Sequence, residues 1–298
     1  MIGAPPIARG VGQPAPRFRS SVQMVTVAAV VRDHKGRFVR DLKRHDVQVL
    51  DKGAPRTIQE FRSDLESPVS IALLFDESGS MSVGSTAMAA RAAAAHLLAA
   101  LDSRRDEVAV FAFDSKLRAV EPFTSDLDGV RTRLLQPQPF GTTSLFDAIA
   151  GAAEQIAQRS GARRKAIVVL TDGVDTSSRL RPAQVSAKAS AIDVPVYVLS
   201  VVLPLDHAGA ETAVETRALE ALATDLANMA QWTGGDVFTA SAPAHSSTAS
   251  RRIVSELRHQ YLIAFEASAE PGWHPIEVRV RDRGAIVRAR SGYVVGSS

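Results

Sequence analysis

The chain has 298 residues, 45% hydrophobic and 22% charged, with 19 Gly, 15 Pro and no Cys. That length fits two domains, or one large domain with an appendage. The composition excludes a collagen-like or wholly disordered chain, and the lack of cysteine excludes a disulfide framework, a cysteine nucleophile and a thiolate metal site.

The formal net charge of +3 is unevenly spread. Residues 1–62 hold twelve Lys/Arg against five Asp/Glu, residues 271–298 hold five against two, and the stretch between them is net −7. Basic ends around an acidic centre argue against a uniform nucleic-acid-binding surface. An acidic centre suits a cation better than a phosphate. No stretch approaches the ~20 consecutive apolar residues of a membrane-spanning helix, and the N-terminus MIGAPPIARGVGQPAPRF lacks a signal peptide's apolar region of roughly 7–15 residues.

Residues 1–19 read as a flexible Pro/Gly arm. Short β-branched runs at Val22–Val31, Asp46–Leu50 and Thr57–Phe61, separated by turns such as Asp51-Lys52-Gly53, predict antiparallel strands. About 45 residues are too few for a good core alone. From Val69 the pattern changes: VSIALLF is a continuous apolar run, as expected of a strand buried on both faces. Ser85 or Thr86 is placed to cap an Ala-rich helix reaching Leu101.

Strand Glu107–Phe113, a hairpin-like Lys116–Val120, a short helix near Asp126–Leu135 and a helix from Ser144 to about Arg159 come next. Strand Lys165–Thr171, a helix around Pro182–Ala191, strand Val194–Val202 and a helix around Glu215–Trp232 follow. An edge strand near Val237 and a helix at Ser246–His259 complete the series. Such alternation predicts βαβ units and a doubly wound, mainly parallel α/β sheet. Tyr261–Phe265, Ile276–Val280 and Ile286–Ala289 return to strand character. They are expected to complete the β unit begun at the front, so that an α/β domain at 67–258 is inserted in a smaller antiparallel β domain built from 20–66 and 259–298.

The chemistry concentrates in three segments at predicted strand ends. Asp76-Glu77-Ser78-Gly79-Ser80 follows the first buried strand, Gly141-Thr142-Thr143-Ser144 precedes a helix, and Thr171-Asp172-Gly173 ends the strand KAIVVL. In open α/β sheets ligands bind at the carboxyl ends of the strands. Carboxylates and hydroxyls are hard oxygen donors of the kind Mg²⁺ takes, with some positions left to water or an incoming oxygen. Each segment also has a plain structural reading. Ser78 and Ser80 suit a helix cap, Ser144 with Asp147 suits a capping box, and Asp172-Gly173 is a common turn pair. Asp114 and Asp175 read as turn residues, and Glu77 as pointing to solvent or a partner. No HExxH pattern is present, so the histidines read as surface or packing residues.

In order and context these three segments resemble the von Willebrand factor type A domain and its metal-ion-dependent adhesion site, over about Val69 to residue 240. The resemblance implies a metal bound by Asp76, Ser78, Ser80, Thr143 and Asp172, directly or through water: Mg²⁺, or Mn²⁺ or Ca²⁺ in its place. Thr143 is preferred to Thr142 for its spacing to Leu145-Phe146-Asp147. The flanks DLKRHDVQVLDKG and YLIAF…ARSGYVVG resemble a bacterial subgroup common in acidobacteria, which suggests an extracytoplasmic location, whereas the missing apolar region at the N-terminus argues for a cytoplasmic one.

Enzyme motifs are missing. There is no GxxxxGK[ST], no GxGxxG after a strand and no GxSxG. A haloacid-dehalogenase-type phosphatase would need a second Asp where Ser78 stands. The expectation is a non-catalytic protein-binding module, adhesive or scaffolding, whose metal accepts a carboxylate from an Asp or Glu of a partner. A Mg²⁺-dependent phosphoester hydrolase and a purely structural scaffold are the alternatives. Partner identity and oligomeric state are not read from the sequence.

Overall fold

The computed structural model describes residues 23–296 apart from 65, 83–85, 135–140, 162, 174, 192, 202–212, 241 and 283. The predicted arm and the Ser85 cap lie outside the described residues.

The front of the chain forms strands β1 (Met24–Arg32), β2 (Val47–Asp51), β3 (Ala54–Arg56) and β4 (Ile58–Asp64). The chain then enters a long α/β series. It runs β5 (Val69–Asp76), α1 (Thr86–Ala100), β6 (Glu107–Phe113), β7 (Leu117–Thr124), α2 (Leu127–Arg133), α3 (Leu145–Ala157), β8 (Arg164–Thr171), α4 (Pro182–Ala191), β9 (Val196–Ser200), α5 (Ala213–Trp232), β10 (Val237–Thr239) and α6 (Pro243–Arg258). Strands β11 (Gln260–Glu266), β12 (Gly272–Val280), β13 (Ile286–Ala289) and β14 (Gly292–Val295) close the chain.

The α/β series makes one six-stranded sheet in the order β10-β9-β8-β5-β6-β7. Every neighbouring pair is parallel except β6 with β7. Every residue of β5 is buried, as its unbroken apolar run demands. One face of the sheet packs against α1, α2 and α6 through Leu73, Val168, Leu97 and Ile253; the other packs against α3, α4 and α5 through Leu74, Val169, Ile149 and Met229. The hairpin-like piece expected at Lys116–Val120 extends to a full edge strand, with register shifts against β6 on either side of Glu121, one of them spanning Pro122. Beyond α5 the chain returns tightly to the sheet. A Cβ on Gly235 would lie 1.9 Å from the Val196 carbonyl oxygen, so no side chain fits there.

The two ends of the chain build two antiparallel four-stranded sheets, β13-β1-β11-β4 and β14-β12-β2-β3. Each mixes strands from before and after the α/β domain: β1 pairs with β11, and β2 with β12. Their facing sides share one core containing Val27, Val49, Ile263, Phe265 and Tyr293. Neither end can bury these residues without the other, which is the physical reason the α/β domain is inserted between them.

A buried polar knot ties the halves of this β unit together. Asp51 accepts hydrogen bonds from Arg56 Nη2 (2.7 Å) and Nε (3.0 Å), from Tyr293 Oη (2.8 Å) and from His274 Nδ1 (2.9 Å). Burial alone would raise this carboxyl, but the bonds from His274, Tyr293 and Arg56 outweigh it and hold it below the usual carboxylate range. A depressed carboxyl contributes stability above its unfolded pKa and loses it as pH falls through the folded value. Asp51→Ala is therefore expected to cost about 3 kcal/mol at pH 7, since it strands the buried donors of His274 and Tyr293 and leaves the half-buried Arg56 without its acid. Urea unfolding at pH 7 and pH 3 checks this, and a penalty equal at both pH values would contradict it.

Candidate metal site

Four chain segments meet at the carboxyl ends of β5, β6 and β8, laced by main-chain hydrogen bonds. Gly79 N–H donates to the Gly141 carbonyl (3.0 Å), Glu77 N–H to Phe113 (2.8 Å) and Ser144 N–H to Asp114 (2.7 Å). Gly141 takes a positive φ of 116°, a conformation that favours glycine. Thr143 is fixed through its main chain: its N–H donates to Thr176 Oγ1 (2.9 Å), and its carbonyl accepts from the N–H groups of Thr176 (2.9 Å) and Ser177 (3.0 Å). Segments 76–80, 141–144 and 171–178 are thus held against one another, although nearly a hundred residues separate the first from the last.

Asp76 lies at the centre, with 1% of its surface exposed. Its Oδ1 accepts from Ser78 N–H (2.9 Å), and its Oδ2 accepts from Thr171 Oγ1 (2.6 Å). Thr171 Oγ1 in turn accepts from Gly173 N–H (3.0 Å), which fixes the hydroxyl proton toward Asp76. Among the described residues no ion pair reaches Asp76. Burial lifts its carboxyl to about 6, the charge of Asp172 adds to the rise, and the bonds from Thr171 and Ser78 offset only part of it. Ser78 is buried and its Oγ lies 3.1 Å from Ser80 Oγ; Ser80 is exposed. Thr143 is buried and Asp172 partly so.

The structure therefore gathers Asp76, Ser78, Ser80, Thr143 and Asp172 at one rim. Two carboxylates and three hydroxyls are a hard oxygen set suited to Mg²⁺. A buried carboxylate with neutral partners and a like charge beside it is the environment a cation would relieve. Among the described residues no group of three or more His, Asp or Glu is placed to hold a metal, so any cation here must draw on the hydroxyls.

Several neighbours behave differently from the sequence reading. Glu77 does not point to solvent: its side chain is 14% exposed and pairs with Arg118 Nη2 at 2.7 Å. Ser144 does not cap α3 with its side chain; its Oγ lies 2.8 Å from Ser177 Oγ. Asp147 accepts from the N–H groups of Arg179 (3.0 Å) and Leu180 (2.9 Å) in place of a capping box. Asp175, read as a turn residue, accepts from Leu145 N–H (2.8 Å) and Ser178 Oγ (2.6 Å), and so satisfies the start of α3 from another loop. Thr171 carries no motif signal for its role, because its partner Asp76 stands 95 residues earlier.

A doubly wound sheet with an oxygen-rich rim at its strand ends defines a class of α/β ligand-binding domains. Residues 71–174 match the family model of the von Willebrand factor type A domain. The chain contains a von Willebrand factor type A domain. Among solved structures it is similar to a von Willebrand factor type A protein from Catenulispora acidiphila, at 14% identity and a TM-score of 0.51, with 94% of this chain and 76% of that one covered. It is similar also to the protein BatB from Bacteroides thetaiotaomicron (19% identity, TM-score 0.50, 63% of this chain and 98% of that one). A third similar structure is the pilus adhesin SpaC from Lactobacillus rhamnosus GG in its open conformation (10% identity, TM-score 0.50, 87% and 49%). At these identities the likeness establishes the fold. A comparison with curated protein sequences gave no match.

Proposed function

We propose that this protein is a non-catalytic, divalent-metal-dependent binding module. Asp76, Ser78, Ser80, Thr143 and Asp172 would hold Mg²⁺, or Mn²⁺ or Ca²⁺ in its place, directly or through water. When bound, the cation supplies positive charge at the rim and a site for one more oxygen donor, here a carboxylate from an Asp or Glu of a partner protein.

The observation that carries this reading is Asp76: fully buried, raised to about 6, beside a second acid and met by neutral donors. Folding leaves it uncompensated by any ion pair among the described residues, at the strand ends where α/β domains bind ligands. Phosphoester hydrolysis has no comparable support. Position 78 holds a Ser where a general acid would be needed, and both Asp76 oxygens already accept hydrogen bonds. The adhesin SpaC, of like fold, is in keeping with a binding role and with an extracytoplasmic location. No helix among the described residues is long and apolar enough to cross a membrane.

Calorimetric titration of Mg²⁺ or Mn²⁺ into wild type and Asp76→Ala tests the reading. Heat in the wild type and none in the variant is expected; equal heats would overturn it. Thr171→Val removes the bond that orients Asp76 and is expected to weaken cation binding about tenfold, the low end for loss of a ligand's outer partner. Thr171→Ser, which keeps the hydroxyl, is expected to bind as wild type does.

A further inference from the structure

The α/β domain carries a second candidate site at its other end. α6 turns Ser247, Arg251, Ser255 and Arg258 to one side, spaced by four, four and three residues, as one helix face requires. With His96 of α1 and His259 they line a cleft of about 420 Å³, floored by Val254 and two alanines of α1. No carboxylate lines it. This reverses locally the acidic balance of the domain.

Two of the basic groups are held in place. Arg258 is anchored by the buried Asp106, which also accepts from Val69 N–H (3.0 Å) at the start of β5 and so marks the end of that strand opposite Asp76. Arg258 Nε is buried and has no hydrogen-bond partner among the described residues. His259 is fixed by its Nδ1 at 2.7 Å from the Ser255 carbonyl and by stacking on Phe38 at 4.6 Å. Arg251 is exposed and has no ion pair among the described residues.

We propose that this cleft binds a compact phosphate monoester. The volume falls in the lower part of the range for small-ligand sites. Guanidinium forks match phosphate oxygens two at a time, serine hydroxyls add donors, and the Val254 floor suits a small apolar ester group. The site is independent of the metal rim.

Phenyl phosphate titrated calorimetrically into the full chain in EDTA, which removes any cation at the opposite rim, tests the proposal. Saturable binding is expected in the wild type, weakened about tenfold in Arg251→Gln, the loss of one charge-assisted contact, and restored only in part in Arg251→Lys, which returns the charge without the fork. Arg251 is exposed, and circular dichroism with a thermal melt confirms that each variant folds. No heat in the wild type at millimolar phenyl phosphate, or equal affinity in Arg251→Gln, would overturn it. Binding by inorganic phosphate as tight as by phenyl phosphate would overturn the monoester assignment.

Discussion

Stripped of divalent cations, Asp76→Asn is expected to be more stable than wild type at pH 8 and to have lost its response to Mg²⁺. The carboxyl is raised from its ordinary 3.8 to about 6, chiefly by burial. Two units correspond to about 3 kcal/mol at 1.36 kcal/mol each, an order-of-magnitude cost of holding the charged form in place. Asn removes the charge and keeps an oxygen for Ser78 N–H, but its amide cannot accept from Thr171. The net gain is therefore nearer 1–2 kcal/mol. The pH dependence has a definite sign. A carboxyl with a raised pKa binds its proton more tightly in the folded state, so the metal-free wild type loses stability as pH rises from about 4 to about 6. The advantage of the variant opens across that window and vanishes below it. Mg²⁺ at a hundred times its Kd reverses the order, adding about 2.7 kcal/mol to the wild type alone. Urea unfolding at pH 4 and pH 8, in EDTA and in Mg²⁺, checks both halves. Equal stability of the two proteins in EDTA at pH 8 would remove the physical basis of the metal site.

The placement of the candidate site's residues was legible in the sequence to the extent that position along a strand reveals it. Asp76, Ser78 and Ser80 follow an apolar run that can only be a strand buried on both faces, and Asp172 ends another, so both carboxylates fall at one sheet edge once the strands are parallel. The α/β series was legible for the same reason, each element having one period of hydrophobicity. Short pieces were not: β3 is three residues containing Pro55, and β14 is four residues opening on Gly292. What organises the site was hidden as well. Thr171, Asp175 and Ser178 act through partners about 30 to 95 residues away, and their local sequence looks like an ordinary turn. Glu256 is the sharpest case. Nothing in SELRHQ marks it out, yet its side chain is 0% exposed, because cations from strands far off in sequence close over it.

Those cations make Glu256→Gln the substitution with the largest expected effect on stability. Oε1 accepts from Arg32 Nη2 of β1 (3.0 Å) and from Arg252 Nε (3.1 Å), and Oε2 pairs with Arg288 of β13, which also pairs with Asp236. Glu256 thus joins α6 of the α/β domain to two strands of the β unit. Arg32 is held below its ordinary value by burial and by repulsion from Arg252 and Arg288, against which Tyr197 and Asp236 act, and Glu256 pairs with all three of these arginines. Neutralising it leaves Arg32 and Arg288, 16% and 17% exposed, facing each other with Asp236 as the remaining acid. Breaking a buried pair from one side costs about 3–5 kcal/mol, which in a chain of this size lowers Tm by roughly 10 °C. Because the cluster lies between the two units, the β unit is also expected to unfold separately, so that calorimetry shows two transitions in the variant and one in the wild type. Arg252→Gln is the control: that side chain is 45% exposed and its removal should cost under about 1 kcal/mol. A loss of that small size in Glu256→Gln, with a single transition retained, would mean that apolar packing and the two chain crossings, β4 to β5 and α6 to β11, hold the units together without the ionic cluster.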